Sequence, residues 1–418
     1  MASSRESHLE IQNKTSLTMT IKVDGTDNFD WDGDSRPDQN FNNVSIGPNS
    51  SKREREELNA NANSAWFNMH ITFENGDQLT FRNDQYDAFK DYHRYYDMDS
   101  NNKTGYLLCQ ATSDDGENVF TIFPFYIKEW MKIISDDVSL LNLSIPGTHE
   151  SCALDNLYSF GYAKCQDWKI KDQLTHGVRY LDIRGAAVKS DKGDYITIKH
   201  TIIPQPYDFD EVLKEIIDFL NSHPTETVLL QLKQESSDWD KEDYAKLVNS
   251  YINNEHYKPY FYLNQYNLRL GDVRGKIVLV NRYYNDPNCG INVYDWSNNK
   301  CFSKNNGVIV YNIQDVYNVS ESSYENARDE KMEYVNKFFK DYAYKHDQLN
   351  LCFCSAMATT PLFATPKEFA TGHDGINERT YRQHLQSKTG WNGVILFDFV
   401  DSEVSVTVPY VINNNFIK

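Results

Sequence analysis

Beyond about residue 127 the chain alternates short apolar runs with helical stretches, and that alternation confines it to βα units around a parallel sheet. The candidate strands are Leu141 to Ile145, Val178 to Ile183, Val228 to Leu232, Ile277 to Val280, Val308 to Ile313, Leu349 to Cys354 and Val394 to Phe397. Several are too apolar to leave either face in water. Between them, Phe209 to Ser222 sets Val212, Ile216, Phe219 and Leu220 on one helical face and ends at His223-Pro224, and a second helix runs from about Glu325 to Tyr344. Seven or so parallel strands, with one excursion at Tyr195 to Lys199, predict a closed but irregular (β/α) barrel of the TIM type over residues 126–418. In such barrels chemistry gathers at the C-terminal ends of the strands.

Residues 1–125 read differently. His8 to Ile11, Leu17 to Val23, Trp66 to Phe73 and Gln78 to Phe81 are short alternating runs between Gly, Asn and Asp turns, which predicts a small all-β, sandwich-like domain of unassigned role. The Asp-rich stretch from Asp24 to Asp34 lacks the spacing and closing glutamate of an EF-hand and reads as a solvated loop. Ser50 to Asn63, with its Lys-Arg-Glu-Arg-Glu-Glu run, reads as an exposed loop or short helix.

With 418 residues there is room for two cores, and a net charge of −18 repels nucleic acid and anionic bilayers at long range. Any membrane contact is then local and peripheral, and no nucleic-acid partner is expected. No run of 18 apolar residues occurs and the first residues lack the apolar stretch of a secretory signal, so the expectation is a cytoplasmic monomer, with export requiring another route. Seven cysteines form no C-x-x-C pair and no Cys/His ligand spacing, which argues against a zinc site.

Each predicted strand ends in a polar group that a structural strand does not need. The first runs into Pro146-Gly147-Thr148-His149-Glu150-Ser151, the second into Asp182-Ile183-Arg184-Gly185, and the excursion into Lys199-His200. Others end in Lys233-Gln234-Glu235, Asn281-Arg282, Gln314-Asp315-Val316-Tyr317 and Asp398. A lone strand-end histidine is more often structural. Two histidines with neighbouring carboxylates and guanidinium groups at one mouth are what in-line phosphoryl transfer requires, one taking a proton while the other gives one.

From about Ile127 to Ile412 the sequence resembles the bacterial-type phosphatidylinositol-specific phospholipase C family. The resemblance rests on Leu143 to Ser151, on Gly177 to Gly185, on His200, on Asn221 to Thr227 and on Leu270 to Leu279. It implies His149 as general base toward the inositol 2-hydroxyl, oriented by Asp398, and His200 as general acid toward the departing diacylglycerol oxygen. Glu150 stands where the family usually has an aspartate paired with that acid. Asp182 would help hold the 2-hydroxyl and Arg184, Arg184 would neutralise the phosphorane, and Lys233, Arg282, Asp315 and Tyr317 match positions that bind inositol hydroxyls or stack on the ring. The expected first products are diacylglycerol and inositol 1,2-cyclic phosphate, with no cofactor and no metal. Calcium-dependent relatives carry acidic ligands where this chain has the cations Arg184 and Lys233.

Two rival readings keep the barrel: a metal-dependent glycerophosphodiesterase or sphingomyelinase-type enzyme, and a catalytically silent lipid-binding module. For a bilayer contact the sequence offers Trp296 and Leu362-Phe363, with packing on the barrel rim as the alternative.

Overall fold

A computed structural model of the chain describes residues 5–28, 36–58, 64–86, 95–98, 106–112, 117–123, 127–154, 161–236, 238–319, 323–358, 365–385, 390–401 and 407–416. It divides into two compact units, 1–127 with 382–389 and 417, and 128–381 with 390–416 and 418.

In the second unit seven parallel strands of five or more residues form one path, edged by the two-residue parallel strand Phe261–Tyr262 beside Ile277–Asn281. Ser144–Thr148 lies between Tyr180–Val188 and Gly393–Phe397. On one side follow Val228–Gln234 and Ile277–Asn281; on the other follow Leu349–Phe353 and Val310–Gln314. The first strand begins three residues later than its apolar run suggests, because Ser139 accepts the Leu141 N–H and winds Leu140–Asn142 into a single helical turn. The excursion is a hairpin: Tyr195–His200 pairs antiparallel with both Tyr180–Val188 and Ile203–Asp208. Gly185 permits it, since a Cβ there would lie 2.7 Å from Ile196 Cγ2 and 2.5 Å from the Tyr244 hydroxyl.

The expected closure is only partial. Among the described residues no ladder joins Ile277–Asn281 to Val310–Gln314, whose free side instead carries the antiparallel strand Cys301–Asn305. Side chains bridge this seam. Arg282 Nη2 reaches Asp315 Oδ2 at 3.5 Å, and the Trp296 ring covers the Arg282 guanidinium at 3.6 Å while its Nε1–H donates to Asp315 at 2.7 Å.

The helix Phe209–Ser222 forms where its periodicity predicts it. Asp208 N–H donates to Glu211 at its start, and Val212, Leu213, Ile216, Phe219 and Leu220 are buried. Five such side chains contribute on the order of 10 kcal/mol of transfer free energy before entropy is counted. The helix Tyr324–Asp341 starts on Ser323, whose hydroxyl accepts the Asn326 N–H. At the N-terminal ends of the strands, Arg179 and Glu226 form a fully buried pair at 2.8 Å. Arg179 also donates to the carbonyls of Leu174, Val178 and Lys128.

In the first unit, Ser50–Leu58, Arg5–Asn13, Glu117–Phe123 and Leu107–Thr112 form one sheet. Val44–Ile46, Met19–Asp27, Ser64–Phe73, Gln78–Tyr86 and Tyr95–Met98 form another. Phe67 and Phe81 of the second sheet meet Phe120 of the first, with ring centroids 6.1 and 4.8 Å apart. A four-residue helix, Pro37–Asn40, interrupts the strands. The charged run from Ser50 is a strand and neither a loop nor a helix. It pairs along Arg5–Asn13 with Lys52, Glu54 and Glu56 alternating against Arg53 and Arg55, a period of two that hydrophobicity cannot report because every member is charged. Of the Asp-rich stretch, residues 29–35 lie outside the described residues; Asp24 is in a strand, its carboxylate 2.5 Å from His70 Nε2.

Candidate active site

The C-terminal ends of the parallel strands surround a cavity of about 460 Å³. His149, Glu150, Arg184, His200, Lys233, Arg282, Asp315, Tyr317 and Asp398 all line it. Nine of the ten residues singled out from the sequence thus share one space. The tenth, Asp182, does not reach the wall. It is fully buried and grips Arg184 through three contacts of 2.7–3.1 Å, accepts from Gln231 Nε2 at 2.5 Å, and accepts the Glu150 N–H at 3.3 Å. It stands behind the guanidinium, off the cavity wall, and holds Arg184 in place.

The backbone turns sharply after each of the three residues that matter most for proton transfer. Glu150 follows His149 with φ 39°, Thr201 follows His200 with φ 53°, and Phe399 follows Asp398 with φ 49°. Left-handed backbone at non-glycine residues costs on the order of 1–3 kcal/mol each and persists only where the surroundings fix it. Here each turn lifts a side chain out of the strand direction into the mouth.

Two imidazoles face one carboxylate. His149 Nδ1 is 2.9 Å from Asp398 Oδ1, and its Nε2 lies 3.8 Å from Glu150 Oε1. His200 Nδ1 lies 2.9 Å from Glu150 Oε2, a close pairing without the angle of a hydrogen bond. Burial disfavours a protonated His149, but Asp398, Glu150 and Asp182 outweigh it and raise the pKa above the ordinary histidine value. Burial likewise opposes the Glu150 carboxylate, and His200 and Arg184 overcome it, holding this group well below the usual range.

Three cations crowd the other side. Among the described residues, the carboxylates of Glu150 and Glu235 stand 3.9 Å from Arg184 Nη1, while its Nε and Nη2 are bound to Asp182. Lys233 Nζ is 3.1 Å from Glu235. Burial and the neighbouring Arg184 push the pKa of Lys233 down, and those same two causes take Arg282 to about 10. Among the described residues, Arg282 Nη1 is a buried donor with no hydrogen-bond partner. Such a cluster gains by receiving an anion. Tyr317 sits at the rim with its hydroxyl accepting from Asn298.

Two neighbours were not singled out from the sequence. Glu235 was visible only as one charge at a strand end, yet it balances both Lys233 and Arg184. Cys165 lies on a loop with no telling spacing, and its Sγ is 3.9 Å from His200 Nδ1. Trp296, considered for a lipid-facing loop, is tied to Arg282 and Asp315 and packs edge-on against Phe302 and Phe353, so the rim alternative holds. Leu362 and Phe363 lie outside the described residues.

Residues 143–283 match the model of the family described as phosphatidylinositol-specific phospholipase C, X domain. The 1-phosphatidylinositol phosphodiesterase of Listeria monocytogenes serovar 1/2a is 28% identical over 300 residues, 69% of this chain and 85% of that protein. The protein of the same name from Staphylococcus aureus strain Newman is 26% identical over 283 residues, 63% of this chain and 86% of its own. Among solved structures, a phosphatidylinositol-specific phospholipase C of S. aureus superposes with a TM-score of 0.60 at 25% identity, over 70% of this chain and 98% of that one. The corresponding Listeria monocytogenes structure gives 0.54 at 26%, over 70% and 100%. With the strand order, the paired histidines and the cationic wall, these likenesses make the barrel of this chain similar to the phosphatidylinositol-specific phospholipase C family, whose X-domain model matches residues 143–283.

Proposed function

We propose that this chain cleaves phosphatidylinositol to diacylglycerol and inositol 1,2-cyclic phosphate by general base and general acid catalysis without a metal. The observation that carries the reading is the pairing of His149 with Asp398 and of His200 with Glu150 on the two sides of one cavity that also holds Arg184.

In this reading His149 takes the proton of the inositol 2-hydroxyl while Asp398 fixes the ring and balances the imidazolium. The oxygen attacks phosphorus in line, from a hydroxyl already beside it, which is worth several kcal/mol over attack by free water. Charge growing on the phosphoryl oxygens meets the open Nη1 edge of Arg184, held rigid by Asp182. His200, paired with Glu150, protonates the departing glyceryl oxygen. The longer side chain of Glu150, in place of an aspartate, is accommodated by its left-handed backbone, and its Oε2 still reaches His200. Lys233, Arg282 and Asp315 would bind ring hydroxyls, and Tyr317 would stack on the ring.

Metal independence has a local cause. A hard cation such as calcium, placed among these carboxylates, would stand beside Arg184 and Lys233. The 1-phosphatidylinositol phosphodiesterases of Listeria and Staphylococcus, which act on the lipid their name states, support the substrate assignment.

Contact with the bilayer falls to side chains at the mouth. Ile202, at the tip of the hairpin that carries His200, is 77% exposed, and Tyr162 and Met357 on the cavity rim are 39% and 47% exposed. Apolar groups at that edge can enter an interface without help from the protein's net charge. Residues 1–125 are proposed to be a separate β sandwich, supported by the rings of Phe67, Phe81 and Phe120 meeting between its sheets.

The test is turnover of phosphatidylinositol in mixed micelles with excess chelator, followed by phosphorus NMR. Cyclic inositol phosphate is expected under chelation. Turnover that starts only when calcium or magnesium is added would replace this reading with the metal-dependent one.

A further inference from the structure

Among the described residues only two groups of side chains present ligand atoms close enough to share one metal ion, and both contain Cys165. In the first, with His149 and Asp398, the partner atoms are spent on each other in the 2.9 Å bond between Nδ1 and Oδ1. In the second, with Glu150 and His200, they are not. Glu150 Oε2 is buried and has no hydrogen bond aligned on it, while the other oxygen of that carboxylate faces His149 and Arg184. His200 Nδ1 stands 2.9 Å from Oε2 and 3.9 Å from Cys165 Sγ.

Those separations suit a soft ion. A tetrahedral zinc site with Zn–S of about 2.3 Å and Zn–N and Zn–O of about 2.0 Å needs ligand atoms roughly 3.3–3.6 Å apart. Small side-chain rotations reach that. The set of one thiolate, one imidazole and one carboxylate, with the open cavity supplying a fourth position, selects zinc or cobalt over calcium or magnesium.

We propose that Cys165, Glu150 and His200 form a binding site for a soft divalent cation such as Zn²⁺, and that filling it turns the catalytic centre off. Binding expels to solvent the thiol proton of Cys165 and, from the imidazolium form, the Nδ1 proton of His200, and places the Nδ1 lone pair of His200 on the ion. An imidazole bound through one nitrogen cannot become the imidazolium that donates a proton, because that species is protonated on both. The inhibitory consequence rests on the phosphodiesterase reading; the metal site does not. Arg184 opposes the ion, which sets the site apart from a structural zinc centre that is always filled.

The full chain, stripped with chelator, is titrated with Co²⁺ and then Zn²⁺. The expected result is one Co²⁺ per chain, with a near-ultraviolet thiolate-to-cobalt band and tetrahedral-type visible absorption, both erased by Zn²⁺. C165S, checked for folding by its thermal transition, lacks the near-ultraviolet band and binds Zn²⁺ at least ten-fold more weakly. His200→Gln serves in its place where C165S does not fold. On phosphatidylinositol, Zn²⁺ suppresses turnover of the native chain, chelator restores it, and C165S needs at least ten-fold more Zn²⁺ for an equal fractional loss. An octahedral cobalt spectrum from the native chain, or equal affinity in the native chain and a folded variant, overturns the site. A cobalt–thiolate spectrum with no turnover under any condition keeps the site and rejects the phosphodiesterase reading.

Discussion

Arg179, just before the strand Tyr180–Val188, and Arg184, five residues on within it, are both almost wholly buried, yet their surroundings are opposite. At the closed end of the strands Arg179 spends its donors on Glu226 and on three carbonyls, with the Phe219 ring 4.6 Å from its guanidinium. At the open end Arg184 is gripped on one edge by Asp182 and leaves Nη1 facing the cavity. A satisfied buried cation holds a fold together; one left half-satisfied by its own protein marks where an anion is received.

The largest expected effects are at the open end. Replacing His149 or His200 by alanine should lower turnover of phosphatidylinositol by about 10³–10⁴-fold, at the upper end of general acid–base contributions, with the unfolding transition little changed. R184K should cost about 10²–10³-fold in kcat, the range for loss of a preorganised transition-state donor, with little effect on stability because a cation stays beside the buried Asp182 carboxylate. R179A should reverse the pattern, destabilising by about 3–5 kcal/mol by stranding the Glu226 carboxylate, while kcat per folded molecule stays near that of the native chain. Denaturant titration beside active-site counting separates the two arginines; equal effects of both on stability would erase the distinction.

A pH profile sharpens the comparison further. The base must be neutral to act, so kcat/KM falls as pH drops through the His149 pKa, and the neighbouring carboxylates place that limb above the ordinary histidine value. D398N removes the largest of the raising influences, so its acid limb should move to lower pH. The smallest effect expected is at the rim: Ile202→Asp should weaken turnover on vesicles several-fold and leave hydrolysis of a soluble inositol phosphodiester unchanged.

Much of the second unit was legible because its strands are apolar on both faces and its helices amphipathic. Val228–Gln234 and Ile277–Asn281 begin at the predicted residue, and helix Phe209–Ser222 has its predicted ends. What periodicity cannot carry was lost. The strand Ser50–Leu58 is charged from Lys52 to Glu57, so no apolar period reports its register against Arg5–Asn13. The open seam between Ile277–Asn281 and Val310–Gln314 depends on Trp296, Arg282 and Asp315 meeting in space, which no spacing reports. Of the candidate site, strand-end position located nine cavity residues. It could not tell that Asp182, two residues before Arg184 and so on the same strand face, would be sealed behind it, nor that a loop would bring Cys165 to His200.

The central claim is the division of labour between the two histidines, and the most direct test is to compare H149A and H200A on phosphatidylinositol and on an inositol phosphodiester with an aryloxide leaving group. Such a leaving group departs without a proton, so the account predicts that H200A recovers most of its lost rate on the aryl substrate whereas H149A does not. Equal losses for the two variants on both substrates would contradict it.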